Sequence, residues 1–435
     1  MSLKPNKEII KLYSIAIKYQ KDGNQIEAEK VYKKILEINP NHVESINNLG
    51  LLYKSLKKII FAKKFFEKAV IINPKYITSI YNLGNLYSDM LQFEKAIVEY
   101  KKVINIEEKN QPALLNIAIS YEKLNNPEEA IKYYKKLIAI YPKHFIAYNN
   151  LAITLDKLNQ SEETLFYFKK AIEINPKFSP GFYNVGKIYF SLGKNQKAIK
   201  YFKEAIRLNP QYANAYNAIG LVYNKLCLFK EAEIFYKKTI QIDKSHFRAY
   251  NNLGLIYSYH QQDVKKGISF FEKAININSK YTDAYWNLHG CAKNIDQAIG
   301  YLNKIDKDHE KTKIMTAGLK GFKGDFKDYD FLINSNKSNH PYLTSLKWVF
   351  SLKKIPKIVF SRWDFFNNII KLADRKRVFY EYGVLFGTSF KYLVNHFKGG
   401  YGFDTFTGLP EDWHDSKPKG TYTSFGKVPK IKGGQ

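Results

Sequence analysis

The feature that most restricts the fold of this 435-residue chain is a repeat with a period of 34 residues. Proline recurs at this interval in the loops at Pro40, Pro74, Pro142, Pro176 and Pro210. Because proline cannot continue a helix, it marks the end of these five repeats, and Glu108 and Lys244 take the equivalent position in two others. Self-similarity at such a period indicates a stack of one supersecondary unit. Small residues, each directly after an apolar one, share the period: Ala16, Gly50, Gly84, Ala118, Ala152, Gly186, Gly220 and Gly254.

Each repeat has the pattern of two amphipathic helices. Within residues 47–74, apolar side chains recur three and four positions apart, the spacing of one helix face. One extra residue near 261–263 shifts the later register by one, and a shortened ninth repeat covers about 282–305. A single helix pair cannot bury its apolar face, whereas a stack can. The sequence therefore predicts an α-solenoid over residues 9–305.

This period and this pattern of small, aromatic and proline positions resemble the tetratricopeptide repeat family. The resemblance covers residues 9–305, with eight full repeats and the shortened ninth. It implies a superhelix whose concave face binds a peptide or protein partner.

An asparagine accompanies most repeats, two positions before the small residue. A side-chain amide donates and accepts hydrogen bonds, so it can pair with a peptide main chain without reading its sequence. The series resembles the asparagine row of O-linked N-acetylglucosamine transferases, which implies peptide binding, although nothing after residue 305 resembles their catalytic domain. The alternative is that these side chains hydrogen-bond between neighbouring repeats. The series comprises Asn48, Asn82, Asn116, Asn150, Asn184, Asn252 and Asn287.

The charge of the chain is strongly positive, with 69 Lys plus Arg, 40 Asp plus Glu and a formal net charge of +29. Only five of these cations are arginine, the residue preferred for phosphate and guanine recognition. We therefore expect solvated lysine-rich helix faces and no specific nucleic-acid partner. No apolar run reaches the ~18 residues of a transmembrane segment. The two cysteines are Cys227, which we expect within a repeat helix, and Cys291, which we expect at the end of another. Together with so few cysteines and no secretory signal, this predicts a cytoplasmic protein without a metal site.

The pattern changes after residue 305. Residues 306–376 lose the repeat but keep many aromatic residues, which predicts a helical connector with helices near 342–353 and 361–373. Residues 377–435 then alternate between β-prone and helical patterns. We interpret them as a separate α/β segment.

Two β-prone runs in this segment, Val378–Tyr382 and Tyr401–Phe403, flank a turn and a helix. Asp404 follows Gly383 by 21 residues. An acid at about this distance binds ribose hydroxyls in nucleotide-binding strand–turn–helix–strand units. The spacing of Gly383 and Gly387 differs from GxGxxG, so spacing alone leaves an ordinary strand–helix turn equally open.

The longer strings EYGVLFGTSFKYL and YGFDTFTGLPEDW resemble class I S-adenosylmethionine-dependent methyltransferases of the macrocin O-methyltransferase-like group. The resemblance covers about residues 340–435 and implies S-adenosylmethionine as cofactor. It implies that Gly383 lets the backbone approach the methionine end, that Glu381 binds this end, and that Asp404 holds the ribose diol. The cofactor-binding residues implied in this way are Glu381, Gly383, Gly387, Ser389 and Asp404.

The predicted fold class is mainly α, a tetratricopeptide-repeat α-solenoid followed by a truncated α/β Rossmann-like methyltransferase segment. Residues 378–435 can form two strands and one helix, fewer than the sheet of this family has, so we expect no methyl transfer by the chain as given. Two functions follow. In the first, the repeats recruit a substrate or partner to a methyltransferase domain that is catalytically incomplete here. The alternative is a pure protein–protein interaction scaffold with a vestigial or split catalytic domain.

Overall fold

The structure, a computed structural model, describes residues 4–306, 309–335, 340–352, 358, 360, 379–382 and 400–403. The chain divides into two compact units, Met1–Leu208 and Asn209–Gln435. They are called the N-terminal unit and the C-terminal unit below, and each is described by itself.

The described part of the N-terminal unit is a row of six helical hairpins, one for each 34-residue repeat. The first helices of the hairpins are α1 Lys4–Lys21, α3 Val43–Ser55, α5 Ile77–Asp89, α7 Gln111–Lys123, α9 Phe145–Lys157 and α11 Ser179–Ser191. The second helices are α2 Gln25–Ile38, α4 Ile59–Ile72, α6 Phe93–Ile106, α8 Pro127–Ile140, α10 Ser161–Ile174 and α12 Asn195–Leu208. Their apolar rows are buried against one another, which confirms the predicted solenoid of helix pairs.

The C-terminal unit continues the same pattern. Its described helices are α13 Ala213–Lys225, α14 Phe229–Ile242, α15 Phe247–Leu255, α16 Val264–Ile277, α17 Thr282–His289, α18 Ile295–Leu302, α19 Glu310–Gly321, α20 Lys327–Asn334 and α21 Pro341–Phe350. Helices α17 and α18 lie within the range predicted for a shortened ninth repeat, and α21 lies where a connector helix is predicted near 342–353. The connector helix predicted near 361–373 lies outside the described residues.

The small residue of each repeat sets how closely the two helices of a hairpin approach. A Cβ atom added to Gly50 would lie 2.6 Å from the Phe66 ring, and one added to Gly84 would lie 2.7 Å from the Tyr100 ring. Carbon atoms in favourable contact are ~3.5–4.0 Å apart. The ring of the second helix therefore rests directly on the backbone of the first.

The turn inside each of the first eight hairpins contains a residue with a left-handed backbone. Gly193 fills this position without strain at a φ of 71°, whereas Leu91 and Cys227 adopt φ values of 58° and 61°. Cys227, predicted to lie within a repeat helix, therefore lies in the turn between α13 and α14, because the turn recurs there with the period of the repeat. Burial raises the pKa of its thiol to about 12, so the thiolate needed for a nucleophile is disfavoured.

The extra residue expected near 261–263 is confirmed. The ring that rests on the small residue comes 16 positions later in the pair Gly50 and Phe66 but 17 positions later in the pair Gly254 and Phe271. A π-helical turn, Ile256–His260, follows α15. Such a turn inserts one residue into a helix, so it restores the packing register of α16.

Two short strands lie in the C-terminal segment, β1 Phe379–Tyr382 and β2 Gly400–Phe403. They pair in parallel, with Phe379 opposite Gly400. Parallel strands need a crossover connection, and the connecting residues 383–399 lie outside the described residues. The described chain is mainly α, as predicted, whereas the Rossmann-like methyltransferase segment is not shown and stays a prediction.

Candidate functional site

The predicted asparagine series lies on the first helices of the repeats, and every member is half-buried. A half-buried amide keeps part of its polar surface open to solvent. What such a residue can bind therefore depends on which of its atoms already have hydrogen-bond partners.

A second asparagine, which the sequence analysis did not single out, joins neighbouring members of the series. Asn47 is buried with 2% of its surface exposed. Its Oδ1 accepts from Nδ2 of Asn82 at 2.9 Å and from Oγ of Ser79 at 3.1 Å, and its Nδ2 donates to Oδ1 of Asn48 at 3.2 Å. Asn47 thus connects two consecutive repeats through side chains alone.

The same arrangement recurs along both units. Nδ2 of Asn184 donates to Oδ1 of buried Asn149 at 2.9 Å. In the C-terminal unit, Nδ2 of Asn252 donates to Oδ1 of Asn217 at 3.1 Å, and Asn287 donates to Oδ1 of Asn251 at 2.8 Å. The inter-repeat hydrogen bonds considered as the alternative are therefore present, and peptide binding by the same residues stays a prediction. The doublets 47–48, 149–150 and 251–252 are the sequence signal of the second row.

In several of these asparagines, only the Nδ2 group of the side-chain amide takes part in an inter-repeat hydrogen bond. Asn82, Asn184, Asn252 and Asn287 donate through Nδ2, and their Oδ1 atoms have no hydrogen-bond partner among the described residues. The inter-repeat bond fixes the orientation of each amide. It therefore leaves two oriented acceptors on the first helices of each unit, whereas Oδ1 of Asn48 and of Asn150 accept from the neighbouring Asn47 and Asn149.

A polar cleft lies on the first helices of repeats two to four. Its cavity has a volume of about 270 Å³. We call it the amide cleft, and it is lined by Lys54, Asn85, Ser88, Asp89, Tyr100, Asn116 and Ile119.

The amide of Asn85 is held firmly at the centre of this cleft. Its Oδ1 accepts from Oη of Tyr100 at 2.7 Å and from Nδ2 of Asn116 at 3.1 Å. Nδ2 of Asn116 also donates to Oη of Tyr81 at 3.0 Å. Burial raises the pKa of Tyr100 well above its usual range, so its hydroxyl stays a donor at any physiological pH.

The first-helix surface carries little charge. Helices α3, α5, α7 and α9 hold seven charged side chains, whereas the second helices α4, α6, α8 and α10 hold nineteen. Two of the four acids on these first helices pair with a lysine of a neighbouring repeat. Lys54 contacts Asp89 at 2.6 Å, and Lys157 contacts Glu122 at 3.8 Å. Of the fourteen lysines on these eight helices, eleven lie on the second helices.

The residues predicted to bind S-adenosylmethionine are described only in part. Glu381 is the third residue of β1, and Gly383, Gly387, Ser389 and Asp404 lie outside the described residues. In the part of the chain that the structure describes, no three His, Cys, Asp or Glu side chains lie close enough together to hold a metal ion. None of the described helices is both long and apolar enough to cross a bilayer.

Substitution tests whether the hydrogen bonds of Asn47 to the following repeat stabilise the fold. Asn47→Ala removes the acceptor of Ser79 and Asn82, so the free energy of unfolding should fall by about 1–3 kcal/mol. Asn105→Ala, on the exposed side of α6, is the matched control and should change it by less than about 0.5 kcal/mol. Urea unfolding followed by circular dichroism measures both. Equal midpoints for the two variants would contradict a stabilising inter-repeat network.

Comparison with known families identifies the repeat. Models described as tetratricopeptide repeat match residues 12–42, 31–60, 77–110, 111–177, 167–200, 213–246 and 247–281, and one described as TPR repeat matches residues 186–226. These matches end at residue 281 and include no methyltransferase model. No curated protein sequence matches the chain significantly.

Several solved structures are similar to parts of the chain. A MamA protein is 26% identical over 40% of this chain and 94% of its own, with a TM-score of 0.36. YrrB, described as a TPR protein with an unusual peptide-binding site, is 22% identical over 43% of this chain and 96% of its own, with a TM-score of 0.37. A tetratricopeptide repeat protein from Parabacteroides merdae is 20% identical over 60% and 99%, with a TM-score of 0.45. From the family matches, residues 12–60 and 77–281 consist of tetratricopeptide repeats, and the chain is a tetratricopeptide-repeat protein over this range.

Proposed function

We propose that the chain is a protein-interaction scaffold whose first-helix surface binds an extended peptide or protein segment. The observation that carries this proposal is the row of half-buried asparagines with oriented, unpaired Oδ1 atoms on a surface with few charges. An extended polypeptide presents main-chain N–H groups at a regular interval. Amide oxygens held one or two repeats apart, as in Asn82, Asn116 and Asn184, are acceptors that such a strand can use.

The inter-repeat bonds support this function. A free asparagine side chain would lose rotamer freedom on binding, at a cost of about 0.5–1.5 kcal/mol for each side chain that becomes immobilised. In Asn82 and Asn184 the bond from Nδ2 to the preceding repeat has already fixed the amide. Structural and binding roles therefore combine in one residue, with Nδ2 serving the fold and Oδ1 serving the ligand.

The charge distribution favours a polypeptide over a nucleic acid. Phosphate recognition requires Lys and Arg on the contacting surface, yet α5 has no basic residue, and the single lysine of α3, Lys54, is paired with Asp89. Within α3 to α10, eleven of the fourteen helical lysines lie on the second helices. We propose that they keep the scaffold soluble and take no part in specific binding.

A double substitution tests this proposal. The probe is a dodecapeptide selected on the full chain from a random display library. Asn82→Ala combined with Asn184→Ala removes two oriented acceptors, so Kd should rise about tenfold, or ~1.4 kcal/mol. Asn105→Ala on α6 is the control and should bind as the parent does. Failure to select any peptide, or equal affinity of the double variant, would contradict the proposal.

A second function is proposed for residues 377–435, namely binding of S-adenosylmethionine. The parallel pairing of β1 with β2 supports it, since parallel neighbours joined by a crossover are the core of nucleotide-binding units. Glu381 lies in β1, and the resemblance assigns the ribose contact to Asp404.

Calorimetry with the full chain tests this second function without an activity assay. S-adenosylmethionine should bind the parent protein, and Asp404→Ala should weaken binding about tenfold, the value of a hydrogen bond to a charged group. Asp412→Ala is the matched control and should bind as the parent does. The cofactor site would be excluded if the titration of the parent protein released or absorbed no heat of binding. It would also be excluded if Asp404→Ala and Asp412→Ala lost affinity equally.

A further inference from the structure

Asn85 breaks the pattern of its position in the repeat. It directly follows the small residue Gly84, and the described repeats of the N-terminal unit place Ile17, Leu51, Ile119, Ile153 and Lys187 at the equivalent position. Asparagine is the only one of these side chains that both donates and accepts hydrogen bonds. This exception lies at the centre of the amide cleft.

The hydrogen bonds of the cleft leave one donor group and one acceptor unpaired. Oδ1 of Asn85 is saturated by Tyr100 and Asn116, whereas its Nδ2 group has no acceptor among the described residues. Nδ2 of Asn116 donates to Asn85 and Tyr81, and its Oδ1 has no donor among the described residues. Two amides that are bonded to each other thus keep a free N–H group on one and a free carbonyl oxygen on the other.

We propose that the amide cleft is a subsite for one adjacent N–H and C=O pair of the bound polypeptide, either from one main-chain residue or from a side-chain carboxamide. In this arrangement, Nδ2 of Asn85 donates to the ligand's carbonyl oxygen and Oδ1 of Asn116 accepts from the ligand's N–H. The inference rests on the proposed peptide-binding function and adds the residue that gives the surface a preferred register. Asn85 and Asn116 would contact the ligand directly, and Tyr100 would act as a positioning residue.

The charges of the cleft favour a neutral group. Lys54 and Asp89 pair at 2.6 Å, so an anionic ligand group meets Asp89 and a cationic one meets Lys54. Either ion would have to break this pair or lie beside a like charge, which costs free energy. A neutral amide leaves the pair intact and satisfies both unused groups.

The donor and acceptor of the cleft are also held in place before binding. Oη of Tyr100 and Nδ2 of Asn116 both hold Oδ1 of Asn85, and the Tyr100 ring is 99% buried against Gly84. Pre-organisation of this kind lowers the entropy cost of binding. The cleft therefore favours an amide that is presented in one orientation.

Two sources can supply such an amide. In an extended main chain, each residue presents its own N–H and C=O toward the same edge. The primary carboxamide of an Asn or Gln side chain also has its N–H and C=O side by side. Both share the chemistry that the cleft recognises, and peptide variants distinguish them.

The test uses the full chain and the dodecapeptide selected from the random library. Asn85→Leu introduces the residue that repeat two has at this position, Leu51, so the fold should be retained. It should weaken binding about tenfold. Asn105→Leu on α6 is the matched control and should leave Kd unchanged. Asn116→Ala is the second variant and should also weaken binding about tenfold, with an unchanged circular dichroism spectrum.

Peptide variants identify the source of the amide. If the main chain supplies it, N-methylation of one residue should weaken binding to the parent but not to Asn116→Ala. If a side chain supplies it, replacement of one Asn or Gln of the peptide by Ala should have this effect. The subsite assignment is overturned if neither change is coupled to Asn116, or if folded Asn85→Leu binds as tightly as the parent. Failure to select any peptide would instead reject the proposed function together with this inference.

Discussion

The contact between a residue without a bulky side chain and an aromatic ring underlies the rest of this structure. At Gly84 the ring of Tyr100 rests on the backbone of α5, closer than any Cβ would allow. This contact fixes the spacing of the two helices in a hairpin. It also sets where the far end of the ring lies, because the Tyr100 hydroxyl reaches Asn85 in the amide cleft. The packing that holds a repeat together thus positions a polar group on the proposed binding surface.

Hydrogen bonds between asparagines continue this link from one repeat to the next. Buried Asn47 and Asn149 accept from the half-buried asparagines of the following repeats. A buried amide that lost its partner would cost about 1–3 kcal/mol, so these bonds resist slippage between neighbouring hairpins. The same bonds orient the amides that we propose for ligand binding. In the proposed function, stability and recognition therefore depend on the same side chains.

Much of this architecture could be predicted from the sequence because the repeat is regular. Helix pairs, the shortened ninth repeat and the inserted residue before α16 all follow from the 34-residue period. The positions of the two strands also agree with the β-prone runs, although the methyltransferase segment around them stays a prediction. Periodicity is informative here because each repeat packs against its neighbours through equivalent residues.

The details on which the proposed function rests are harder to predict from the sequence, because they depart from the repeat or depend on three-dimensional pairing. Asn47 was overlooked because sequence alone does not show which member of the doublet 47–48 is buried. Asn85 has no sequence signal because, among the equivalent positions of the N-terminal unit, asparagine occurs in one repeat only. Its role depends on Tyr100 and Asn116, which lie 15 and 31 residues away. Cys227 was placed in a helix because the left-handed turn at its position has no glycine to mark it.

A crystal structure of the full chain with a selected dodecapeptide tests the central claim most directly. The account predicts an extended peptide across α3, α5 and α7. Its main-chain or carboxamide groups should lie within hydrogen-bonding distance, ~3 Å, of the Asn82, Asn85 and Asn116 side chains. A peptide bound on the second helices, held by ion pairs to their lysines, would contradict it.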